Sequence, residues 1–513
     1  MSIDDSLRYV GKFCELVKPE HTQGLLPQMS KLLRIGGGLP VSQTLQADIR
    51  RRVDERGFRV ESLPFQICRD LVVPLRFLSL ANQSYYSRGE PVHELGTLGS
   101  LLGVQKFADK FSELGEVASL QMAFRGRALA SLAYQNAILN ALYAQRFYLC
   151  IEKEKTPSTL PFLATAAAEL PLALLAYLKP NLYAMCLLDT YADRTSLIDK
   201  YFKKIFRESF AQVFSDIAKD IGVPQSFCEF VNMLTMPPWN RRGWTVANTR
   251  QNRSVVTASF IAQKIGSLFP RFLDRQDFYT GMKAYENKGE INKSIIENSL
   301  VNVSSRFLSA IETVGLTAFR LPDYLEMYED QIVDSQGGIS EVSVPWPRVS
   351  NRLNPFVVEL KACLQASPKG GSDLCRFPQA LAVTMQALLR GLQFDRVVLF
   401  VEDYIDGDAG LVPVLTMGRE IDKESVLKSL DSWGQFTPHV DAYLQKQSVF
   451  QGDPLFSEDW PFVAFPLIQD GGVFGVLYAD KKKKKDALPL TTEEQVACIA
   501  LAEVWHEVPS AFE

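Results

Sequence analysis

The fold of this chain is decided by the stretch DLVVPLRFLSLANQSYY at residues 70–86. Asp70 can accept hydrogen bonds from the free backbone amides at a helix start. Pro74 falls in the first turn, where a missing N–H costs least. The apolar residues of 71–81 are too dense for a surface helix, which predicts a helix buried on most sides. Asn82 tolerates the left-handed conformation that ends helices, and the polar residues after it predict a turn.

A second apolar helix pattern follows at residues 92–103. Together the two segments resemble the HDOD family, the HD-related output domains of bacterial signalling proteins, through Asp70, Ala81, Asn82, Tyr85, Tyr86, Leu102 and Gly103. The family usually has Pro after the Asp and Ser after the Asn, where this chain has Leu71 and Gln83. The resemblance implies an all-helical, HD-like bundle. We expect the following residues to hold it in shape, without a catalytic role: Asp70, Asn82, Tyr85, Tyr86 and Gly103.

The composition is that of a folded protein without a strong charge bias. Of 513 residues, 47% are hydrophobic and 22% charged, and 55 Lys and Arg against 59 Asp and Glu give a net charge of −4. This length predicts about two to four domains. The slightly acidic balance argues against general affinity for nucleic acid or for an anionic membrane. The 8 cysteines are scattered without a Cys-x-x-Cys motif, which predicts reduced thiols in a cytoplasm.

The most lipid-like segment is residues 160–178, and Pro161, Glu169 and Pro171 interrupt it. A membrane span needs about 20 uninterrupted apolar residues, so this segment predicts a buried pair of helices instead. The first residues, MSIDD, are acidic and polar, unlike a signal peptide. We therefore expect a cytoplasmic protein that makes no membrane contact.

Helical patterns fill the first part of the chain, and no alternating strand pattern occurs before about residue 340. We divide this part into an N-terminal helical extension, 1–36, and an HDOD-like all-helical domain with a helical extension, 37–318. The helices are predicted at roughly 42–55, 64–82, 93–103, 104–115, 118–150, 197–219, 260–272 and 295–314. Whether the helices after about residue 270 belong to the HDOD-like module stays open.

A polar stretch with several prolines, 319–357, predicts a linker before a second domain at 358–508. The second domain has mixed periodicity. Its strands are predicted at 396–403, 411–417, 461–468 and 472–480. Its helices are predicted at 377–392, 423–433, 438–446 and 491–507, where Thr491 and Glu494 have the spacing of a capping box.

This order of elements resembles the GAF domain, whose usual ending is the phrase FGVLYAD at 474–480 followed by a capped helix. PAS-like folds share the layout. The resemblance implies an α+β domain with an antiparallel sheet flanked by helices. The chain lacks the residue set of the cyclic-nucleotide-binding members, so the identity of a ligand does not transfer. An apolar pocket near Phe400, Phe465 and Tyr478 is the default site for a small molecule.

HD-type phosphohydrolases bind divalent metal through several His and Asp residues, including an adjacent His-Asp pair. In the corresponding register this chain has Ala168 and Glu169. Its four histidines are too far apart in the sequence to gather into such a site: His21, His93, His439 and His506. We therefore expect no metal, no cofactor and no phosphohydrolase activity. Glu169 is either an acid with a raised pKa or an ordinary paired carboxylate inside a helix, and we favour the ordinary carboxylate.

Clusters of positive charge allow two interpretations. The clusters are the lysines of 481–485, the arginines of 50–52, and the segment 240–244 with its arginines and Trp244. Each cluster either contacts an anionic ligand or partner, or is ordinary surface structure. We favour solvated surface for 481–485 and 50–52, and a helix–helix loop anchored by Trp244 for 240–244.

Three functions from different classes remain. The first is a non-catalytic signalling protein in which the GAF-like domain regulates a pseudo-HD module. That module contacts other signalling proteins, and this function also allows the chain to form a homodimer. The second is a divergent metal-dependent phosphodiesterase acting on cyclic dinucleotides, which bound metal or turnover would reveal. The third is a nucleic-acid-binding regulator, which the acidic balance argues against.

Overall fold

The structure, a computed structural model, describes residues 10–506 except for several short segments and one longer one. The excepted residues are 56–59, 84–90, 97–103, 154–156, 194–196, 236, 241–249, 267–274, 284, 287–290, 323–324, 326–353, 366–375, 406–407, 420, 422–427, 430–436, 458, 470 and 483–488. Most of the predicted linker, 319–357, therefore lies outside the described residues. The described cysteines form no disulfide.

The described part of residues 10–325, here called the helical module, is built almost entirely of helices. Its α-helices are Pro19–Thr22, Leu25–Leu33, Gln43–Val53, Leu63–Ile67, Val73–Ala81, Val104–Leu114, Leu120–Ala123, Ala128–Ile151, Leu160–Leu178, Pro180–Ala192, Ile198–Phe206, Phe210–Ile221, Gln225–Asn232, Arg250–Gly266, Arg275–Met282, Lys293–Leu300 and Val303–Thr313. Short 3-10 turns lie at Phe13–Leu16, Val60–Ser62, Met233–Thr235 and Pro238–Asn240.

Three helices form the centre of this module. The central helix, Ala128–Ile151, packs against the apolar helix, Leu160–Leu178, and against the covering helix, Arg250–Gly266. The central and apolar helices are hydrophobic on nearly every side, as expected of helices surrounded by others. The apolar helix is long and hydrophobic enough to cross a membrane, but 89% of its most apolar window is buried inside the protein.

The apolar helix corrects one prediction. Residues 160–178 form a single helix with Pro171 inside it, not a pair of helices. An internal proline removes one backbone hydrogen bond and costs about 3 kcal/mol. Burial of a large apolar side chain contributes about 1.5–3 kcal/mol, so the leucines around Pro171 offset that penalty several times over.

Other predicted helices are divided in the structure. The predicted helix 64–82 is interrupted by a turn between Leu63–Ile67 and Val73–Ala81, and 118–150 is interrupted between Leu120–Ala123 and the central helix. The predicted helix 197–219 breaks at Arg207.

Two predicted helices later in the helical module also differ from the structure. The predicted helix 295–314 breaks at Asn302, and the predicted helix 260–272 begins earlier and ends at Gly266. Arg207 and Asn302 have φ of 64° and 61°, a left-handed backbone that no helix interior contains. Neither break is marked by glycine or proline, so the sequence gives little sign of it.

The helical module also contains a small sheet that was not predicted. Strand β1, Val41–Ser42, pairs in parallel with strand β2, Val117–Ala118. Strands of two residues are too short to produce an alternating pattern. The expectation of an all-helical first half is therefore wrong in this detail.

The described part of residues 354–506, here called the sheet domain, contains an antiparallel sheet flanked by helices. Its strands are β3 Arg396–Ile405, β4 Asp408–Gly418, β5 Lys428–Ser429, β6 Phe462–Gln469 and β7 Gly472–Asp480, in the order β5-β4-β3-β7-β6. Its helices are Pro355–Gln365, Phe377–Gln386 (continued by a π turn, Ala387–Gly391), Pro438–Gln445 and Thr492–His506.

The sheet domain largely confirms its predicted elements. The last helix is held by the predicted capping box, because Glu494 N donates to Thr491 Oγ1 at 3.2 Å and Thr491 N donates to Glu494 Oε2 at 3.0 Å. The predicted helix 423–433 is wrong where it is described, since β5 pairs there with Gly410 and Leu411 of β4. The remainder of that segment lies outside the described residues.

The two parts of the chain share one hydrophobic core. Buried residues run without interruption from Phe13 through the helical module to Trp505 in the last helix. The sheet contributes one face to this core and supports a separate, smaller cluster on its other face. Any movement of the sheet relative to the helices must therefore rearrange a packed interface.

Candidate functional site

A polar cavity lies inside the helical module, where the central, apolar and covering helices meet. Its volume of about 60 Å³ has room for several water molecules or one very small ligand. Part of the wall is apolar, with Leu172, Phe210 and Leu234. The polar residues of the lining include Asn136, Asn140, Glu169, Asp199, Gln263 and Lys264.

The polar residues of this cavity come from four helices. Asn136 and Asn140 lie one turn apart on the central helix, so they share a face. Glu169 comes from the apolar helix and Lys264 from the covering helix. Asp199 lies in the first turn of a short helix beside them. Polar residues from such distant parts of the chain converge only through tertiary packing.

Two amide atoms at the cavity lack a partner. Asn140 is only 2% exposed, and its Oδ1 atom has no hydrogen-bond partner among the described residues. The Nδ2 atom of Asn136 is also buried, and the described part of the chain offers it no acceptor. Leaving a buried polar atom unsatisfied costs about 1–3 kcal/mol. The cavity thus presents one acceptor and one donor that a bound molecule can satisfy.

Gly266 holds the Asn140 amide in place from the covering helix. A Cβ atom at position 266 would lie 1.7 Å from both Asn140 Nδ2 and Asn140 Oδ1. The amide therefore occupies the space that any other residue would fill with its side chain. Glycine is required here by the close approach of a side chain and not by its backbone angles.

The surroundings of Glu169 favour its protonated form at neutral pH. Burial raises its pKa to about 8, and the negative charge of Asp199 adds to the increase. A hydrogen bond from the Asn140 side chain and the charge of Lys264 act in the opposite direction. Burial also lowers the pKa of Lys264. At pH 7 the Glu169 carboxyl can therefore donate a proton to a hydrogen bond as well as accept one.

Ala168 and Glu169, the predicted degenerate His-Asp positions, both line this cavity. Among the described residues, no group of three or more His, Cys, Asp or Glu side chains is close enough to hold a metal ion. The histidines lie far apart. His93 is 3.4 Å from Ser226 Oγ, His21 lies in the N-terminal helix Pro19–Thr22, and His439 lies in the sheet domain.

Asp70 caps the helix Val73–Ala81, as predicted. Its Oδ1 atom accepts hydrogen bonds of 2.8 Å from the amides of both Val72 and Val73. Its Oδ2 atom accepts a bond of 2.9 Å from the hydroxyl of Tyr134 on the central helix. Burial raises the pKa of Asp70. This side chain therefore fixes both the start of its own helix and the position of that helix against the central one.

Arg76 connects the helix Val73–Ala81 to neighbouring backbone segments by hydrogen bonds. The sequence analysis did not single out this residue. Its side chain is 2% exposed and donates to the backbone carbonyls of Leu32, Leu33 and Leu39 at 2.8–3.0 Å. Burial lowers its pKa to about 10. A single arginine in an apolar helix was the available sequence signal, because such a charge must find partners.

Asn82 differs from its predicted role. Its φ is −91°, so it does not adopt the left-handed conformation. Instead its side chain pairs with the backbone of Val92 in both directions, through Nδ2 to the carbonyl at 2.9 Å and from the amide to Oδ1 at 2.8 Å. Asn82 thus connects the end of its helix to Val92. Tyr85, Tyr86 and Gly103 lie outside the described residues.

The three residues predicted for a pocket in the sheet domain do not come together. Phe400 and Tyr478 belong to the smaller cluster on the outer face of the sheet, while Phe465 points into the core shared with the helices. On the outer face, the Phe400 ring lies 4.5 Å from that of His439, and Tyr478 stacks on Phe462 at 5.7 Å. Alternation along β6 and β7 explains the split, since Phe465 pairs with Leu477, the neighbour of Tyr478.

A buried polar bridge, also missed by sequence reasoning, connects the helical module and the sheet domain. Gln386 Nε2 donates to the hydroxyl of Tyr191 at 2.9 Å, and Arg390 Nε donates to Gln386 Oε1 at 3.0 Å. Arg390 also donates to the backbone carbonyl of Arg320. Arg320 pairs in turn with Asp395 at 2.7 Å. The bonds of Tyr191 and Arg320 to residues of the sheet domain join distant parts of the sequence and have no local signature.

The bridge ends beside a second buried ion pair. Asp395 is followed by Arg396, the first residue of β3, whose guanidinium lies 2.6 Å from Asp480. Burial raises the pKa of Asp480 to about 6 despite this partner. The Arg396 guanidinium also stacks 4.1 Å from the Phe456 ring, which packs against the outer-face cluster. Two adjacent residues thus connect the bridge to the outer face of the sheet.

The described part of the charge clusters agrees with solvated surface at Arg51 but not at Lys481, whose side chain is only 18% exposed. Arg51 and Arg52 both pair with Asp48 of their own helix. Lys481 pairs with Glu494 at 2.6 Å. Residues 241–244 and 483–485 lie outside the described residues.

No family model matches the chain, and no curated protein matches it. Solved structures similar to it include an HDOD domain protein from Geobacter sulfurreducens with a TM-score of 0.27 and 11% identity, covering 57% of this chain and 99% of that one. A GAF domain from a Coxiella burnetii phosphoenolpyruvate-protein phosphotransferase has a TM-score of 0.22 and 19% identity, covering 29% and 88%. A virulence factor from Campylobacter jejuni has a TM-score of 0.38 and 14% identity, covering 56% and 97%. Similarities at this level do not establish a family.

Proposed function

We propose that this chain is a non-catalytic bacterial signalling protein of the cytoplasm, with a GAF-like sensor and an HDOD-like output module. A small molecule bound at the sheet domain shifts the helical module between two states, and the helical module contacts other signalling proteins. The motif built on Asp70 and Asn82 and the order of elements in the sheet domain support this assignment.

The observation that carries the proposal is the buried bridge from Tyr191 through Gln386 and Arg390 to Arg320 and Asp395. Buried polar groups keep their hydrogen bonds because an unsatisfied one costs about 1–3 kcal/mol. A ligand that moves the start of β3 must therefore move its partners in the helical module as well. Regulation requires such a differential contact between two states.

The helix Pro180–Ala192, here called the interface helix, extends this coupling to the polar cavity. Tyr191 near its end bonds to the sheet domain, and Tyr183 near its start lines the cavity. A helix transmits displacement along its length as a rigid element. The outer face of the sheet and the interior of the helical module are thus the two ends of one connected structure.

The test is a coupling experiment on the full chain. Phe400→Leu alters the outer-face cluster without touching the interface, and we expect it to change amide hydrogen exchange in the interface helix. Arg390→Met removes the centre of the bridge, and we expect that Phe400→Leu then has less effect on the interface helix. Equal effects of Phe400→Leu in both backgrounds, or no effect in either, contradict the proposed coupling.

Catalysis is tested separately. We expect no turnover when the full chain is incubated with cyclic dinucleotides in Mg²⁺ or Mn²⁺. Product formation that persists through purification and disappears with chelator contradicts the non-catalytic assignment and favours a divergent HD-type phosphodiesterase.

A further inference from the structure

We propose that the polar cavity of the helical module binds a small organic ammonium ion, held by the Glu169 carboxylate and the Asn140 Oδ1 acceptor. This goes beyond the proposed function, which places a ligand at the sheet domain. It stands whether or not the two parts of the chain regulate each other.

The first argument is the unpartnered acceptor. Asn140 is 2% exposed, its amide is confined against Gly266, and its Oδ1 atom has no partner among the described residues. A hydrogen-bond donor that enters the cavity satisfies this atom.

The second argument is the charge of the lining. Among the described residues of the lining, two carboxyl groups, Glu169 and Asp199, accompany one ammonium group, Lys264, and Glu169 is 9% exposed. Removal from water makes an uncompensated negative charge expensive. In the free protein the proton on Glu169 and the charge of Lys264 balance the two carboxyls, and an ammonium ion can replace that proton with both carboxyls ionised. Water satisfies hydrogen bonds but cannot replace the charge of that proton, and an anion adds negative charge to the site.

The third argument is size and shape. The volume of about 60 Å³ admits only a few heavy atoms, and the apolar wall of Leu172, Phe210 and Leu234 suits a short alkyl chain. A primary amine with such a chain places its ammonium among the acceptors and its carbons against the leucines. The chemical class of the ligand is therefore a short alkylammonium.

The affinity of the cavity for an alkylammonium ion should increase as the pH rises. The titratable groups that act on Glu169 are Asp199 and Lys264, and Tyr183 lies on the same cavity. An ammonium next to Glu169 favours its ionised form, so binding releases a proton at neutral pH. Affinity should rise from pH 6 to pH 8.5, because an alkylammonium keeps its proton until about pH 10, as lysine does.

The test is isothermal titration calorimetry of the full chain with propylammonium chloride. Two matched probes, 1-propanol and sodium propionate, have the same chain length without the positive charge. We expect saturable binding of propylammonium alone, with a stoichiometry of about one site and a dissociation constant between roughly 0.1 and 10 mM, as for other ligands of so few atoms. Repeating the titration in two buffers of different ionisation enthalpy measures the released proton.

Variants identify the site. Glu169→Gln keeps the shape of the side chain, and we expect it to weaken propylammonium binding at least about tenfold and to abolish its pH dependence. Asn140→Leu removes the acceptor and serves the same purpose if Glu169→Gln does not fold. Thr165→Val is the control, because Thr165 is buried on the same apolar helix but does not line the cavity.

Three outcomes overturn the proposal. These are the absence of saturable propylammonium binding up to roughly 10 mM, binding that survives in folded Glu169→Gln and Asn140→Leu, and propionate or propanol that binds as well as propylammonium. The coupling experiment above is unaffected by any of them, so this proposal and the proposed function fail separately.

Discussion

The hydroxyl of Tyr191 accepts a hydrogen bond of 2.9 Å from the side-chain amide of Gln386, a residue 195 positions further along the chain. Both side chains are buried. The contact lies at the join between the interface helix and the sheet domain, so it belongs neither to the helical bundle alone nor to the sheet alone. Its removal should therefore affect the stability of both parts together.

Tyr191→Phe should lower the free energy of unfolding by about 1–3 kcal/mol, because it leaves the Gln386 amide buried without this acceptor. Urea unfolding followed by circular dichroism measures the change. Tyr404→Phe is the control, since the Tyr404 side chain is 78% exposed and should change little. Equal stability of Tyr191→Phe and Tyr404→Phe argues against an important bridge.

Asp70→Asn should destabilise the protein by about 1–3 kcal/mol, because it disrupts the bond from Tyr134 at a buried site. The bonds from Val72 and Val73 can persist through the amide oxygen, so the helix start should survive. Tyr134→Phe removes the same bond from the other side. The double variant should therefore lose less than the sum of the two single losses, and simple additivity contradicts a direct interaction.

Gly266→Ala should destabilise the protein by about 1–3 kcal/mol, because the new Cβ atom displaces the Asn140 amide. Gly96→Ala is a matched control, since the nearest atom to its Cβ would be 3.9 Å away. Asn140→Ala in the Gly266→Ala background should recover part of the loss by removing the displaced amide. Thermal unfolding of the four proteins checks this order.

Stability should fall as the pH rises, and Glu169 should account for much of the fall. Its pKa is raised to about 8 in the folded protein, against 4.5 as the ordinary value. The folded state therefore binds more protons between these pH values, so the free energy of unfolding decreases from about pH 4.5 to about pH 8 and then levels off. Glu359, with a pKa of about 7, and Asp480, with a pKa of about 6, act in the same direction.

Comparison with Glu169→Gln isolates the contribution of this residue. The difference in unfolding free energy between the wild type and Glu169→Gln should change by a few kcal/mol between pH 5 and pH 8, on the order of 1.4 kcal/mol for each unit of pKa shift. A constant difference across this range contradicts a protonated Glu169 in the folded state.

Features set by neighbouring residues were predictable from the sequence. The capping box at Thr491, the cap formed by Asp70 and the alternation of β6 and β7 each depend on a few consecutive positions. Features set by distant residues were not. Arg207 and Asn302 break helices with a backbone that only packing can impose, and β1 pairs with a strand far along the chain.

The same distinction applies to the candidate site. The sequence drew attention to Glu169 in an apolar helix but favoured an ordinary paired carboxylate, whereas the structure places it in the cavity, where burial raises its pKa. Asn140, Asp199 and Lys264 came from separate helices and carried no shared motif. Phe465 was grouped with Phe400 and Tyr478 because aromatic residues on adjacent strands look alike in sequence, whereas one position along a strand decides which face they occupy.

The apolar helix Leu160–Leu178 has a consequence for how this protein is made. It leaves the ribosome before the covering helix Arg250–Gly266 that shields it, and synthesis at about 5–20 residues per second leaves it uncovered for several seconds. During that interval the nascent chain exposes a segment that is as hydrophobic as a membrane-spanning helix. The chain is therefore open to aggregation through this segment until the covering helix has been made.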